Sequence, residues 1–427
     1  MKKHLFMTLA ASLALGMTVS CSDDPDDPGF TPFPDETGNR TVLVYVSAQN
    51  SLGTDEQFQK LDSIEMSLGA QYIDDADRFI VYIDDAENPR MYRFTKDRPA
   101  PYLVRTFARD ANSSDPETLK DVLAWTKQYF PSQEYGLVMW SHSDGWLPAP
   151  NKNYRSNRAF GIDTGEGGNM AWDVDVTGQM GASMDIDDMA QAISDAGVHL
   201  RFLFFDSCLM QCIESSYALR NVTDYVLASP IPTPGYGTHY TNELRYGFFS
   251  EDPIDAARTY FRDVTGGNYA DLYGNNGFAF AAVKTSELED LATLTASLLP
   301  QYVRNGAQID MTGVMAYQPY DKDHYYYRPE FYDFGSAMHR ILGPADYAVW
   351  RRQFDLAVPY MDVSKSYWTG PGYFTYATRD EYYCGVSCFI PDIKYTDNAS
   401  ACLYGDLNEA FRQTEWYQDA GWDETGW

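Results

Sequence analysis

The chain contains short runs of consecutive apolar residues that are rich in β-branched and aromatic side chains. Such runs are typical of strands that are buried on both faces of a sheet. The runs cover residues 41–46, 79–83, 135–141, 200–205, 225–228 and, as a sixth candidate, 278–283. They therefore predict a sheet with a layer of structure on each side.

Amphipathic stretches separate these predicted strands. Apolar residues recur every three or four positions across residues 58–68, which is typical of one face of a helix. The sequence Asp-Pro-Glu at residues 115–117 predicts a helix start, because Asp caps free amides and Pro fits the first turn. Further helices are predicted at residues 184–196, 209–220, 288–303 and 335–342.

The alternation of strands and helices indicates βαβ units, which form a parallel sheet between two helix layers. We therefore predict an α/β fold in which a mostly parallel sheet, with helices on both faces, spans residues 40–290. Beyond this point the sequence becomes rich in aromatic residues and in residues typical of loops. We expect residues 291–427 to form a C-terminal subdomain packed on the sheet.

The N-terminus has the features of a targeting signal. Lys2 and Lys3 precede an apolar run at residues 5–19, which is too short to span a bilayer in a folded protein. Small residues end the run directly before Cys21, an arrangement that resembles a bacterial lipobox. We predict that residues 1–20 are a lipoprotein signal peptide and that Cys21 is lipidated. An ordinary secretory peptide with an incidental cysteine is the alternative.

Residues 21–39 are predicted to form an acidic, flexible tether. The first part of the tether, residues 22–28, resembles the signal that directs lipoproteins of Bacteroides-type bacteria to the outer surface. We expect an outer-membrane lipoprotein that is exposed at the cell surface of a Gram-negative bacterium. The lipid anchor is its only predicted membrane contact, since no other run of about 18 apolar residues follows.

Charge and composition exclude two classes of protein. The 427 residues include 61 Asp and Glu but only 32 Lys and Arg, which gives a formal net charge of -29. Binding to nucleic acid needs clustered Lys and Arg, so we expect no nucleic-acid partner. An apolar fraction of 44%, with 15% aromatic residues, supplies a real core and excludes disorder as the main state.

No cofactor and no metal site is predicted. The cysteines at 208 and 212 and at 384 and 388 lack zinc-finger spacing, and no nearby His completes a sulfur-based site. Calcium is left open as a ligand of clustered aspartates, although the chain has no EF-hand loop. A solvated acidic face is the simpler explanation of such a cluster. The aspartates concerned are Asp173, Asp175, Asp185, Asp187 and Asp188.

Two predicted strands end in residues that are capable of covalent chemistry. His142 follows the third strand and Cys208 follows the fourth, and reactive groups in parallel sheets lie just beyond such strand ends. Cys208 is also predicted to lie at the N-terminus of the helix at 209–220, whose amides would stabilise a thiolate. A histidine beside a thiol can act as general base and then protonate the leaving amine. The backbone amides of Cys208 and Ser143 are candidates for an oxyanion hole.

Each of these two residues has a structural alternative when it is taken alone. A cysteine after a buried strand is often a small core residue, and a histidine at a strand end is often part of a hydrogen-bonded framework. Their combination at neighbouring strand ends is what favours a catalytic function.

Around these residues the sequence resembles the clostripain-like cysteine peptidases, which share the caspase-type fold. The sequence Phe-Asp-Ser-Cys-Leu-Met at 205–210 is similar to the family's Asp-Ala-Cys-Leu-Met signature. The sequence Tyr-Gly-Leu-Val-Met-Trp at 135–140 is similar to the strand that delivers the family's histidine. Further similar segments lie at residues 41–46, 217–220, 224–225, 228–229, 385–387, 390–391, 416–417 and 421–422.

The resemblance implies a cysteine endopeptidase in which His142 and Cys208 form the catalytic pair. It implies a protein or peptide substrate that is cut after Arg or Lys, and it places Asp206 among the acids of the specificity pocket. Some members of the family are cut between the histidine and the cysteine. The basic, loop-like stretch at 151–158 then supplies the candidate processing sites Lys152, Arg155 and Arg158, and a simple surface loop is the alternative.

The chain departs from the family pattern at two places. The family usually has Gly directly after the histidine, whereas Ser143 and Asp144 separate His142 from Gly145 here. If that position requires a positive φ or a close approach of the substrate, Ser143 weakens or abolishes activity. Pro230 follows Ala-Ser at a position where relatives often carry acids, so the second acid of the specificity pocket is not identified.

Two other functions compete with the active peptidase. One is a catalytically impaired pseudo-peptidase with the same fold. The other is a surface lipoprotein that binds glycans or proteins through an aromatic-rich stretch. The aromatic residues concerned are Tyr325, Tyr326, Tyr327, Phe331 and Tyr332.

Overall fold

The computed structural model describes most of the chain beyond the predicted signal peptide and tether. The predicted lipidation site Cys21 and the candidate processing sites Lys152, Arg155 and Arg158 lie outside the described residues. The described ranges are 33–54, 56–107, 111–148, 160–266, 277–318, 331–369, 372–375, 381–396 and 406–427.

The described residues contain sixteen strands, which belong to one large sheet and three small ones. In chain order they are β1 (Gly38–Ser47), β2 (Arg78–Asp84), β3 (Arg90–Phe94), β4 (Tyr102–Thr106), β5 (Ser132–Trp140), β6 (Phe160–Asp163), β7 (Ala182–Met184), β8 (Phe202–Asp206), β9 (Tyr225–Ala228), β10 (Ala279–Lys284), β11 (Ala316–Gln318), β12 (Phe331–Asp333), β13 (Tyr360–Val363), β14 (Ser366–Thr369), β15 (Gly372–Thr375) and β16 (Ser387–Cys388).

The same residues contain eleven α-helices, several of which have only one or two turns. They are α1 (Glu56–Gly69), α2 (Pro116–Tyr129), α3 (Ile186–Asp195), α4 (Ile213–Ala218), α5 (Tyr240–Tyr246), α6 (Ile254–Thr265), α7 (Leu288–Tyr302), α8 (Phe334–Ile341), α9 (Pro344–Ala357), α10 (Leu407–Arg412) and α11 (Glu415–Asp419). No helix in the described part of the chain is long and apolar enough to cross a membrane.

The large sheet has nine strands in the order β13-β10-β9-β8-β5-β1-β2-β3-β4. Its five central strands, from β9 to β2, are parallel to one another. Strands β3 and β10 are antiparallel to both of their neighbours. The outermost strands β4 and β13 run in the same direction as the central strands. The predicted α/β fold with a mostly parallel sheet is therefore confirmed.

Apolar residues on alternate positions of the central strands build the core. Val44 and Phe204 lie in one buried cluster with Tyr240 of α5 and Tyr260 of α6. The rings of Phe204 and Tyr260 stack with their centroids 5.7 Å apart. Because both faces of these strands are buried, their sequences are continuously apolar, and this is why the strand prediction succeeds at the centre of the sheet.

The start of α2 follows the local chemistry of its sequence. The side chain of Asp115 accepts a hydrogen bond from the amide of Glu117 at 2.9 Å, and Pro116 occupies the first turn. These contacts satisfy an amide that the helix itself leaves without a partner. The predicted helix start at residues 115–117 is confirmed.

Residues 35–427 form one compact unit. Strand β13 pairs with β10 and so adds residues from beyond 290 to the edge of the large sheet. The proposed boundary between a domain at 40–290 and a subdomain at 291–427 stays a prediction.

Candidate active site

The loops that carry His142 and Cys208 meet at one edge of the sheet. Strands β5 and β8 are parallel neighbours, and Trp140 pairs in register with Asp206. His142 and Cys208 each follow this pair by two residues. The hydroxyl of Ser143 donates a hydrogen bond to the carbonyl oxygen of Cys208 at 2.5 Å, so the two loops are in direct contact.

The Cys208 thiol is held by the loop that follows β9. The backbone amide of Thr233 donates to its sulfur at 3.3 Å, and the Thr233 hydroxyl lies 3.7 Å from the same atom. An amide that points at a sulfur favours the thiolate over the thiol. Cys208 is also partly exposed, whereas Cys212, Cys384 and Cys388 are buried. Of these four cysteines, Cys208 is therefore the one that a substrate can reach.

The predicted helix at 209–220 is wrong in its first part. Helix α4 begins at Ile213, and Cys212 occupies its N-cap position. Leu209 has a φ of 61°, and the amides of Leu209 and Gln211 bond to the carbonyls of Ile231 and Ser229 instead of starting a helix. Cys208 therefore does not lie at a helix N-terminus, and the amide of Thr233 supplies the thiolate stabilisation that the helix was expected to provide.

The other thiol of this segment, that of Cys212, has a different environment. It is fully buried and contacts the hydroxyl oxygen of Ser215 at 3.1 Å. Burial, followed by repulsion from Glu214, raises the pKa of Cys212 to about 12. Cys212 is therefore protonated at neutral pH and is unsuited to act as a nucleophile.

The imidazole of His142 faces a serine and an aspartate that the sequence analysis did not connect to it. The Nε2 atom of His142 lies 3.0 Å from the hydroxyl oxygen of Ser51 and 3.9 Å from Oδ2 of Asp173. Ser51 follows the carboxyl end of β1, the strand next to β5, and this position was the signal that could have identified it. The sequence analysis considered Asp173 only as a calcium ligand.

The backbone around Ser143 suits an oxyanion hole. Ser143 forms a β-bridge with Phe160, in which the amide of Gly161 donates to the carbonyl of His142 at 2.9 Å. Among the described residues the amide of Ser143 has no hydrogen-bond acceptor.

The position in this loop that requires glycine is 145, not 143. Gly145 has a φ of 68°, whereas Ser143 is not among the described non-glycine residues with a positive φ. A Cβ atom at position 145 would lie 2.8 Å from the carbonyl oxygen of Leu209. Ser143 therefore fits its backbone without strain, so the φ at this position gives no reason for impaired activity.

Asp206 lies beneath the loop that holds the Cys208 thiol. Its carboxylate accepts hydrogen bonds from the amide of Thr238 and from the hydroxyl of Tyr260, both at 2.8 Å. Gly237 packs so closely that a Cβ atom there would lie 2.5 Å from Oδ2 of Asp206. Burial raises the pKa of Asp206 to about 6.

Further buried acids surround Asp206, and the sequence analysis did not single them out. Burial, then repulsion from Glu65 and Asp206, raises the pKa of Asp62 well above its ordinary value. Burial likewise raises the pKa of Glu65 to about 8, although the amide of Tyr240 donates to its carboxylate at 3.0 Å. This region is therefore rich in carboxyl groups whose ionisation a positive charge would stabilise.

The aspartates considered for calcium have other contacts. Asp173 accepts hydrogen bonds from Ser51, and Asp175 accepts one from the amide of Thr177 at 2.8 Å. Asp185 occupies the N-cap position of α3. Within the described residues, no group of three or more His, Cys, Asp or Glu side chains could hold a metal ion.

The aromatic residues considered for glycan binding divide into two sets. Tyr325, Tyr326 and Tyr327 lie outside the described residues. Phe331 and Tyr332 belong to β12, and their exposed fractions are 1% and 7%. These two rings pack inside the protein and do not present a face to an external sugar.

A caspase-like sheet with a reachable cysteine and a histidine at neighbouring strand ends defines a cysteine peptidase. The chain belongs to the clostripain family of these enzymes, peptidase family C11, whose model matches residues 44–425. The expected family is therefore confirmed. No curated protein sequence matches the chain significantly.

Solved structures of bacterial C11 proteases agree with this assignment. A secreted C11 cysteine protease from Bacteroides thetaiotaomicron, in complex with an irreversible peptide inhibitor, is 29% identical with a TM-score of 0.71. The match covers 90% of this chain and 100% of that protein. An inactive zymogen C11 protease from Parabacteroides distasonis shares the fold, with 23% identity, a TM-score of 0.70 and coverage of 91% and 99%.

Proposed function

We propose that this protein is an active cysteine endopeptidase in which Cys208 is the nucleophile and His142 is its acid-base partner. The hydrogen bond from Ser143 to the carbonyl of Cys208 is the observation that supports this most directly, because it joins the histidine loop to the cysteine loop. The partial exposure of Cys208 and the amide of Thr233 at its sulfur add to this support. A pseudo-peptidase would not need these features.

The reaction follows from the groups that surround the thiol. The Cys208 thiolate attacks the scissile carbonyl carbon, and the carbonyl oxygen becomes an oxyanion that the amides of Ser143 and Cys208 stabilise. His142 then donates a proton to the leaving nitrogen as the C–N bond breaks. Water hydrolyses the resulting thioester, and His142 accepts a proton from it.

Cleavage after Arg or Lys is supported by the buried acids beside Cys208. Asp206 accepts a hydrogen bond from the amide of Thr238, in the same loop as Thr233, and the buried carboxyl groups of Asp62 and Glu65 lie near it. A guanidinium or ammonium group that enters this region would lower the pKa values of these acids and bind them as carboxylates. We propose Asp206 as the main acceptor of the basic side chain.

Kinetic comparison of three alanine variants tests the catalytic assignment. Cys208→Ala and His142→Ala should each lower kcat by about 10³-fold or more with peptides that carry Arg or Lys before the scissile bond. Cys212→Ala is the matched control, because it removes a thiol from the same segment and should keep wild-type kcat. Full turnover by Cys208→Ala would exclude the peptidase mechanism and favour a lipoprotein that only binds its target.

We further propose that the protein is an outer-membrane lipoprotein anchored through Cys21 and exposed at the cell surface. The support is the lipobox-like sequence before Cys21 and the acidic tether after it. Metabolic labelling with an alkyne fatty acid should label the wild type but not Cys21→Ser, which should leave the membrane fraction. Unchanged labelling of the variant would rule out this anchor.

Cleavage between His142 and Cys208 is proposed as the activating step, at Lys152, Arg155 or Arg158. The support is the basic stretch at 151–158, between the two catalytic residues. N-terminal sequencing of active protein should find a second terminus in this stretch, and Cys208→Ala should stay uncut if the cleavage is autocatalytic. A single unbroken chain in fully active enzyme would contradict this step.

A further inference from the structure

Ser51 and Asp173 are joined by two hydrogen bonds. The amide of Ser51 donates to Oδ1 of Asp173 at 2.6 Å, and the hydroxyl of Ser51 donates to Oδ2 at 2.9 Å. An ionised carboxylate only accepts hydrogen bonds, so the single hydroxyl proton of Ser51 points toward Asp173. The oxygen of Ser51 then offers only lone pairs to its other neighbour, the Nε2 atom of His142 at 3.0 Å.

This arrangement determines which nitrogen of His142 carries a proton. With the Ser51 proton directed to Asp173, the short contact between Ser51 and His142 needs a proton on Nε2. If the Ser51 hydroxyl instead donated its proton to Nε2 of His142, the hydroxyl oxygen of Ser51 and Oδ2 of Asp173 would lie 2.9 Å apart with no hydrogen between them. The neutral imidazole is therefore the Nε2–H tautomer, and Nδ1 carries the lone pair.

Ser51 is held rigidly enough to perform this task. Its neighbour Asn50 is fully buried and donates to the carbonyls of Ser47 at 2.8 Å and Ile162 at 3.0 Å. The side-chain oxygen of Asn50 also accepts from the amide of Leu52 at 3.0 Å. The turn that carries Ser51 is thus bonded to the ends of β1 and β6, so its position depends little on side-chain freedom.

Asp173 reaches Ser51 from a left-handed backbone conformation. It has a φ of 55° at the end of a short 3-10 turn, a conformation that Asp adopts more readily than most other non-glycine residues. The carbonyl of Asp173 accepts from the amide of Gly181 at 3.0 Å, and its side chain is 10% exposed. A buried aspartate that bonds twice to a serine beside the proposed catalytic histidine suits a positioning role.

We propose that Ser51 and Asp173 are positioning residues that hold His142 as the Nε2–H tautomer, so that Nδ1 exchanges the proton with Cys208. This inference rests on the proposed catalytic role of His142 and adds two residues to the machinery. Asp173 also stabilises the imidazolium by its negative charge, 3.9 Å from Nε2. Among the described residues, Asp144 and Cys208 are further titratable groups on the two loops that meet here.

The hydrogen bonds that join Asp173, Ser51 and His142 are called the relay below. Nitrogen-15 NMR of labelled histidine tests this relay independently of turnover. The spectra are recorded on Cys208→Ala protein, in which the thiol no longer couples to the imidazole. Neutral His142 should show a protonated Nε2, and Ser51→Ala should give a mixture of tautomers. Asp173→Asn should move the titration midpoint of His142 to lower pH by about 0.7 unit, as expected for charges about 4 Å apart in water.

Controls separate this effect from a general loss of structure. Asp175→Asn removes a carboxylate from the same segment, one that bonds only locally to Thr177 and Gln179 among the described residues, and it should leave His142 unchanged. His239 is an internal reference, because burial lowers its pKa to about 4 and its signal should not move in any variant. An unchanged tautomer in Ser51→Ala, with an unchanged midpoint in Asp173→Asn, would overturn the proposal.

Kinetics then connect the relay to catalysis. In otherwise wild-type enzyme, Ser51→Ala and Asp173→Asn should each lower kcat by about tenfold to a hundredfold with little change in KM. Ser51→Thr keeps the hydroxyl and should restore most of kcat. If the NMR results hold but Cys208→Ala retains turnover, the proposed function fails while the relay stands. Normal kcat in both relay variants, with intact folding, would show that the relay does not assist catalysis.

Discussion

The Ser143 hydroxyl and the Cys208 carbonyl oxygen are 2.5 Å apart and form a hydrogen bond between the histidine and cysteine loops. Ser143 stands where the family usually has glycine, so a residue that looked like a defect contributes a contact that glycine lacks. The positive φ of this loop occurs two residues later, at Gly145. The histidine loop therefore accommodates serine at position 143 without backbone strain.

Replacement of Ser143 by glycine tests this interpretation. Ser143→Gly should lower the free energy of unfolding by about 1 to 2 kcal/mol, because it removes a hydrogen bond and adds backbone freedom. It should not raise kcat/KM. Urea denaturation and peptide hydrolysis measure the two effects, and a clear gain in activity would show that Ser143 impairs the wild-type enzyme.

Alkylation of the thiols should discriminate sharply between Cys208 and Cys212. Burial raises the pKa of Cys212 to about 12, so at pH 8 it should react at least about 10³-fold more slowly than an ordinary thiol of pKa about 8.5. Peptide mapping after a short pulse of iodoacetamide should find the label on Cys208. Cys208→Ala should remove this fast reaction, while Cys212→Ala should preserve it. Earlier labelling of Cys212 would contradict the assignment.

Selectivity for a basic side chain should depend on pH. Burial raises the pKa of Asp206 to about 6, so its negative charge is present above this pH and lost below it. The ratio of kcat/KM for an Arg peptide to that for its neutral citrulline analogue should rise about tenfold from pH 5 to pH 7, because the ionised fraction of Asp206 rises from roughly one tenth to nine tenths. A ratio that does not change over this range would exclude Asp206 from the specificity pocket.

Glu214 should make the protein less stable as the pH rises. Burial raises its pKa to about 8, and its carboxyl group accepts a hydrogen bond from the amide of Phe389 at 2.8 Å. The folded state thus keeps a proton that the unfolded state releases near pH 4.5, so the stabilisation is complete below that pH and is lost as the pH approaches 8.

Glu214→Gln keeps the accepting oxygen but cannot lose a proton. Its Tm should be close to that of the wild type at pH 5 and higher by about 2 °C or more at pH 8. Calorimetry at the two pH values measures this difference. The exposed Glu251 offers a control, because Glu251→Gln should have no such pH-dependent effect. Equal Tm differences at both pH values would contradict a buried, protonated Glu214.

The sequence by itself determined the centre of the sheet and its two reactive positions. Strands that are buried on both faces require continuous apolar sequence, so β1, β5 and β8 could be found without a structure. His142 and Cys208 could then be placed at one sheet edge, because parallel strands end on the same side. Strands β3 and β4, at one side of the sheet, were not predicted, since their partly exposed residues leave no continuous apolar run.

Only the tertiary structure decided how these two residues are supported. Asp173 contacts Ser51 across 122 positions of the chain, and Thr233 contacts Cys208 across 25. Such contacts depend on loop paths that follow no periodic pattern in the sequence. Leu209 shows the same limit, because its φ of 61° is imposed by bonding to the strand-end loop around Ile231 rather than by its own preference. Local propensity therefore predicted a helix at Cys208, and long-range hydrogen bonds replaced it with a turn.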